Sequence, residues 1–419
     1  MPTFRRALAL STVILTAAAL TGCGSSGSGG APKSVAAGTP SAGATGFANV
    51  LAKAKGQTVN WYMYGGDDTI NTFVNGYLKT KLGALGVTLN QVKVTDTVTV
   101  VDKVLAEKQA GKKDGSVDAV WINGENFATG KQAGAWYCGY DKALSNAKYV
   151  DFSNPAIAND FGLPVDGCES VWQQANSALV YDSSKLTAGD VKSVSSLFAW
   201  AKAHPGKFTY PAPPDFTGSM AVRTFFYDTN GGPGGFAGAF DASKYTPAAQ
   251  QLWKRLRDLA PSLYKKGTTY PAGQPDVEKL FANGEIAAFL TYGPGGVGDT
   301  VKKGTFPKTT REAVFDVGNI SNYNFLTIPA NSPHKEGAQV LQDVLLDPAT
   351  QLEFYKVSGT FPAIDLAKVS PDVKAAFAAV GTSPSVLPLT ELSKHAQPEL
   401  TSKYVTTIEK DWKTNVQQK

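Results

Sequence analysis

The run Thr58-Val-Asn-Trp-Tyr-Met-Tyr64 stops at Gly65-Gly66, and Asp67 then opens a stretch that sets Ile70, Phe73, Val74, Tyr77 and Leu78 on one helical face. A β-branched and aromatic run reads as a strand, and a carboxylate ahead of a 3.6-residue apolar period reads as a helix start. The order then recurs. Residues 89–95 suit a second strand and 99–110 a helix, with Val100, Val101, Val104 and Leu105 on one side. The apolar run Val117-Asp-Ala-Val-Trp-Ile122 breaks off at Asn123-Gly124-Glu125. Strands separated by helices of this length point to parallel β-α-β units, hence an α/β chain.

The second half repeats the theme with its own spacing. Strands are expected at 177–181, 208–211, 286–292 and 323–329, and helices at 194–202, 218–228, 252–259, 275–283 and 335–346. With 419 residues, 42% of them hydrophobic, the chain can bury two medium cores, and two α/β lobes fit typical domain sizes better than one.

The N-terminus carries a different signal. Arg5 and Arg6 precede a short, mostly apolar stretch that ends in Leu20-Thr-Gly-Cys23. The stretch is too short to span a bilayer, which takes roughly 20 residues. Its charged start and small residues are the parts of an export signal over 1–22. Leu-Thr-Gly-Cys resembles the lipobox of bacterial lipoproteins, which implies that Cys23 carries a lipid. The tether 23–46 is rich in Gly, Ser and Ala and has no aromatic residue, and such a coil reaches roughly 25–30 Å. Export leaves the other two cysteines, Cys138 and Cys168, in an oxidising compartment. They are either a disulfide or two buried thiols.

Charge excludes one class of partner. Forty basic residues stand against 35 acidic ones, without a basic cluster or Arg-aromatic interleaving, so nucleic acid is not implied. Catalytic signatures also fail. Gly293-Pro-Gly-Gly-Val-Gly298 matches a dinucleotide-binding spacing, but Pro294 sits in its turn and Gly304 follows early. Ser145-Asn-Ala-Lys148 lacks the companion motifs of a penicillin-binding enzyme. His204, His334 and His395 show no metal-ligand spacing. A binding protein without cofactor or metal is expected rather than an enzyme.

Four strand ends share a geometry: Tyr64-Gly-Gly-Asp67, Ile122-Asn-Gly-Glu-Asn126, Asp215-Phe-Thr-Gly-Ser219 and Tyr292-Gly-Pro-Gly295. Ligands of open α/β sheets bind beyond the carboxyl ends of the strands. Glycines there admit close approach, and helix N-termini offer free N–H donors.

Val120-Trp-Ile-Asn-Gly-Glu-Asn-Phe127, Trp61-Tyr-Met-Tyr-Gly-Gly-Asp67 and Asp215-Phe-Thr-Gly-Ser219 together resemble a subgroup of extracellular solute-binding proteins of ABC importers. These have the type II periplasmic-binding-protein fold and stand near the thiamine, polyamine and iron binders. Tyr323-Asn-Phe-Leu-Thr-Ile-Pro-Ala-Asn-Ser-Pro-His-Lys-Glu336 and Val344-Leu-Leu-Asp-Pro-Ala-Thr-Gln-Leu-Glu-Phe354 add to a resemblance that runs from about Gln57 to Ile364. It implies a two-lobed fold with a hinge and an interlobe cleft. Lobe I takes 47–178 plus 319–357, and lobe II takes 179–318 plus 358–419. It also implies a small solute, an ABC permease with its ATPase, a membrane reached through the lipid, and a monomer on the outer face of the cytoplasmic membrane.

The expected cleft residues are Tyr64, Gly65, Asp67, Asn123, Glu125, Asn126, Trp172, Asp215, Thr217, Gly218, Ser219, Tyr292, Tyr323 and Asn324. Aromatic faces beside carboxylates suit a cation, each contact worth roughly 0.5–2 kcal/mol, which favours a thiamine-like or polyamine-like solute. Thr217-Gly-Ser219 ahead of a helix suits a phosphate or carboxylate instead, and a neutral sugar stacked on the aromatics stays open. Trp61 and Trp121 are expected in the core.

Overall fold

The computed structural model describes residues 46–380 and 383–418. The expected signal 1–22, the lipidated Cys23 and the tether 23–46 lie outside these residues, apart from Gly46, which begins the helix Gly46–Ala54.

Twelve strands are defined, β1 Thr58–Tyr64, β2 Thr88–Val94, β3 Ala119–Ile122, β4 Asn159–Asp160, β5 Leu163–Pro164, β6 Glu169–Asn176, β7 Ala178–Asp182, β8 Ala288–Thr291, β9 Thr310–Ala313, β10 Asn319–Thr327, β11 Phe361–Pro362 and β12 Ala396–Gln397. The larger sheet runs β11-β6-β10-β3-β1-β2, with β12 added on β10, and the smaller runs β8-β7-β9. β1 pairs in parallel with β2 and β3, as the strand–helix alternation predicts, whereas β10 is antiparallel to both β3 and β6. The two sheets thus give a two-lobed α/β fold.

Each lobe has its own core. Val59, Trp61, Met63, Phe73, Leu78, Leu326, Leu341 and Phe354 pack on one face of the larger sheet, and Val100, Val104, Val120, Ile122 and Phe127 on the other. The smaller lobe is built on Leu179, Phe208, Phe225, Phe226, Leu252, Trp253, Tyr404 and Trp412. Fully burying one such side chain stabilises by roughly 1.5–3 kcal/mol. Cys138 and Cys168 are joined in a disulfide. It ties the start of β6 to the loop after helix Glu125–Gln132.

Four expectations change. Residues 208–211 form no strand, and only Phe208 bridges, to Ala288. Pro211, Pro213 and Pro214 leave too few N–H donors for a ladder. The rejected dinucleotide motif does begin a helix, Pro294–Lys302, with its proline in the first turn. β6 was not expected, since Gln173, Gln174 and Asn176 interrupt any apolar run, yet seven of its eight residues are buried between β10 and β11. The stretch from 358 onward, expected in lobe II as one piece, is divided. Phe361–Pro362 pairs with β6, and Ile364 and Phe377 join the larger lobe's core. Helix Ser402–Trp412 packs into the smaller lobe.

The chain passes between the sheets at Ser177, between β6 and β7, and again where β10 begins. The backbones of Gly295, in the smaller lobe, and Gly359, at the end of helix Pro348–Ser358, meet so closely that a Cβ on either would collide with the other.

Candidate functional site

The carboxyl end of β1 delivers Tyr64 to the seam, where it stays 38% exposed. Gly66 makes this possible, since a Cβ there would collide with the Tyr64 hydroxyl. Gly65 serves strand packing instead, for its N–H donates to the Val94 carbonyl at 3.0 Å and a Cβ would lie 2.6 Å from the Lys93 Cβ. Asp67 caps helix Asp68–Phe73 by accepting from the N–H groups of Thr69 and Ile70.

From the smaller lobe, Asp215 caps helix Phe216–Asn230, accepting from the Gly218 N–H at 2.8 Å. Glu278, on helix Gln274–Ala282, accepts from Gln274 Nε2 at 2.8 Å. Burial, then the charges of Asp215, Asp67 and Glu278, push the Tyr64 hydroxyl above the ordinary tyrosine value. Burial likewise raises the Asp215 and Glu278 carboxyls, and Asp67 adds to the rise at Glu278. Acids of both lobes therefore converge around one phenol.

A second acidic group lies on the other side of an aromatic pair. Phe216 is 44% exposed and packs on Tyr292 with ring centroids 5.0 Å apart and planes tilted by 32°. The Tyr292 hydroxyl donates to Glu399 Oε2 at 3.1 Å and accepts from Arg223 Nη2 at 3.2 Å. Arg223, only 1% exposed, forks onto Glu399 at 2.7 and 3.0 Å and donates to Ser219 Oγ at 2.5 Å. Ser219 in turn donates to Glu409 at 2.5 Å. Burial raises Glu409, and Glu125 of the larger lobe, in the first turn of helix Glu125–Gln132, adds to the rise. Asp67, Asp215, Glu278, Glu125 and Glu409 have no Lys or Arg ion-pair partner among the described residues.

The floor between the groups is amide and indole. Asn324 Oδ1 accepts from Asn123 Nδ2 at 2.8 Å and from Trp121 Nε1 at 3.1 Å. The Trp121 ring meets Tyr64 edge-on at 6.4 Å. Trp121 is thus half-buried at the rim, not in the core as expected, whereas Trp61 is fully buried. Asn126 lies half-buried one residue beyond Glu125.

Some expected residues stand elsewhere. Trp172 is 1% exposed in the larger lobe's core, edge-on to Trp61 and Trp121 and stacked on Phe354. Tyr323 packs against the same core, and burial with Asp151 and Asp365 raises its hydroxyl to about 12. The anion cradle expected at Thr217-Gly218-Ser219 is not formed. Thr217 is buried, Gly218 presses on the Pro211 backbone, and Asp215 already occupies the N–H end. Arg223, Glu278, Glu399 and Glu409 were not expected. Arg223 had a signal, a lone cation in the apolar run Met220–Tyr227, but its partner lies 176 residues away.

Among the described residues no cluster of three or more His, Cys, Asp or Glu could hold a metal ion. No helix among them is long and apolar enough to cross a membrane.

A family model described as bacterial extracellular solute-binding protein matches residues 74–379. Protein YnjB of Escherichia coli K12 is 33% identical over 313 residues, covering 74% of this chain and 79% of that protein. The spermidine/putrescine ABC transporter substrate-binding protein PotD of Streptococcus pneumoniae superposes with a TM-score of 0.61 at 12% identity, covering 86% of this chain and 99% of PotD. A periplasmic thiamin binding protein superposes at 0.55 and 17% identity, with coverages of 86% and 95%.

Proposed function

Because the chain belongs to the bacterial extracellular solute-binding proteins, we propose that it captures a small organic cation between its lobes for an ABC importer. One observation carries the choice of a cation. The charges of Asp67 and Glu125 in one lobe act on Glu278 and Glu409 in the other, and Asp67 and Asp215 both act on Tyr64; none of these five carboxylates has a Lys or Arg ion-pair partner among the described residues, although Arg223 reaches Glu409 through Ser219. Two such groups separated by the Phe216–Tyr292 pair suit a solute with two cationic centres, or one cationic centre on a flat ring. Polyamine-like and thiamine-like solutes meet those terms, as the names of the PotD and thiamin-binding structures also suggest.

Capture works by differential affinity. Without solute the acids of the two walls repel one another, and a bound cation neutralises that charge and favours the state with the lobes together. Only that difference shifts the equilibrium, and moving the closed fraction from 1% to 99% takes roughly 5.5 kcal/mol. The closed pair of lobe surfaces is what a permease and its ATPase would read. Cys23, acylated, would hold this monomeric catcher on the outer face of the membrane, on the tether that follows.

A thermal-shift screen of the full chain with putrescine, spermidine, thiamine and thiamine phosphates tests the reading. A true ligand at a hundred times its Kd adds about 2.7 kcal/mol, a shift of a few degrees. If none of them moves the melting point and a neutral sugar or an organic phosphate does, the cationic reading falls.

A further inference from the structure

The short hairpin β4–β5 carries Phe161 and Gly162 at its tip. Phe161 sits at φ 44°, in the left-handed region that an aromatic side chain rarely occupies, yet it is only 8% exposed. Strain of this kind persists only where the surroundings over-determine it. Here the surroundings belong to the opposite lobe, because the ring is part of the smaller lobe's core with Leu400, Tyr404 and Ile408.

Two glycines complete the fit. A Cβ at Gly124 would lie 3.3 Å from the Phe161 ring, and a Cβ at Gly162 would lie 2.5 Å from Thr401 Cγ2. The residue before the tip, Asp160, is 1% exposed and accepts the Gly124 N–H at 2.5 Å. Gly124 opens helix Glu125–Gln132, so the hairpin grips the Asn123–Asn126 wall from behind. On its other side it touches the segment that carries Glu399, the partner of Arg223 and Tyr292.

We propose that β4–β5 is an interlobe tongue and that Phe161 is a positioning residue for the solute site. By burying its ring across the seam, it holds the two acidic walls in register before any solute arrives. This inference rests on the two-lobed fold and on the place of the site, not on the solute being a cation.

The test is hydrogen exchange on the full-length, solute-free protein, with X-ray scattering alongside. In Phe161→Ala the amides of residues 124–127 and 400–404 exchange at least about tenfold faster, the loss expected for one aromatic ring withdrawn from a core. The radius of gyration grows, while β1 and β10 exchange as before. Phe161→Leu restores most of the protection. Unchanged exchange at both segments overturns the proposal, and so does a uniform acceleration of every strand, which would mark Phe161 as ordinary core. Thr401→Arg approaches the contact from the other lobe, at a half-buried residue whose hydroxyl has no hydrogen-bond partner among the described residues. It serves if the Phe161 variants do not fold. It opens the same two segments if the tongue is real, and leaves them protected if it is not. None of these readouts needs a ligand, so failure here is distinct from failure of the cationic reading.

Discussion

Arg223 links a buried ion pair to the candidate site. It is buried with Glu399, and each saturates the other while placing the Tyr292 hydroxyl and Ser219. Removing one member leaves an uncompensated buried charge, which typically costs 3–5 kcal/mol. Arg223→Met is therefore expected to lower unfolding free energy by about that amount in urea denaturation, and Arg223→Met with Glu399→Leu to recover most of it. Asp215 behaves differently. Asn caps a helix about as well as Asp, so Asp215→Asn keeps the fold while deleting a charge. Its melting point stays within about a degree of the wild type, whereas affinity for the cation that scores in the thermal screen falls about tenfold or more, read by calorimetry. Glu278→Gln follows the same pattern. Equal affinity in both variants would take the Tyr64 group out of the site.

At the scale of elements, the disulfide and the strand ends decide most. Cys138 and Cys168 close a loop of 30 residues, and a cross-link of that span stabilises by roughly 3–4 kcal/mol in the chain-entropy view. Replacing both with Ala lowers the melting temperature by several degrees in a calorimeter, and an unchanged value would show that the loop is ordered without it. Element boundaries such as Thr58–Tyr64, Val98–Gln109 and Lys335–Leu345 were legible from apolar period and caps. β6 was not, because buried amides on a central strand look polar from sequence alone. The site was half legible. Tyr64, Asp67, Asp215 and Tyr292 end strands or start helices, which local patterning marks. Glu278, Glu399 and Glu409 act through contacts 100 to 190 residues distant in several cases, and no local signal records a partner so far away.

For the whole molecule, pH separates capture from folding. Asp215, Glu278 and Glu409 are raised chiefly by burial. A raised carboxyl binds a proton more readily in the folded chain than in the unfolded one, so as pH falls through that raised range these groups add stability to the solute-free protein. On the cationic reading, the same protons erase the charge that would attract the solute. As pH falls from neutrality toward the ordinary carboxylate range, affinity is expected to drop while the solute-free melting temperature holds or rises. Glu107 and Asp182 work in the opposite sense. Burial would raise both, but hydrogen bonds from Ser116 and Lys112, and from Thr309 and Ser184, outweigh it and hold each at about 2. Their contribution stays in place above the unfolded value and fades only as pH falls toward 2. Affinity that stays level across the higher window would mean that the acids do not face the solute.

The contact of Gly295 with Gly359 works as a bearing: two bare stretches of main chain from opposite lobes run against each other with no side chain to space them. A methyl group at either position acts as a shim, setting the resting angle of the two lobes from a turn that directly follows Tyr292. The resting angle between the two lobes can thus be tuned by a single carbon atom.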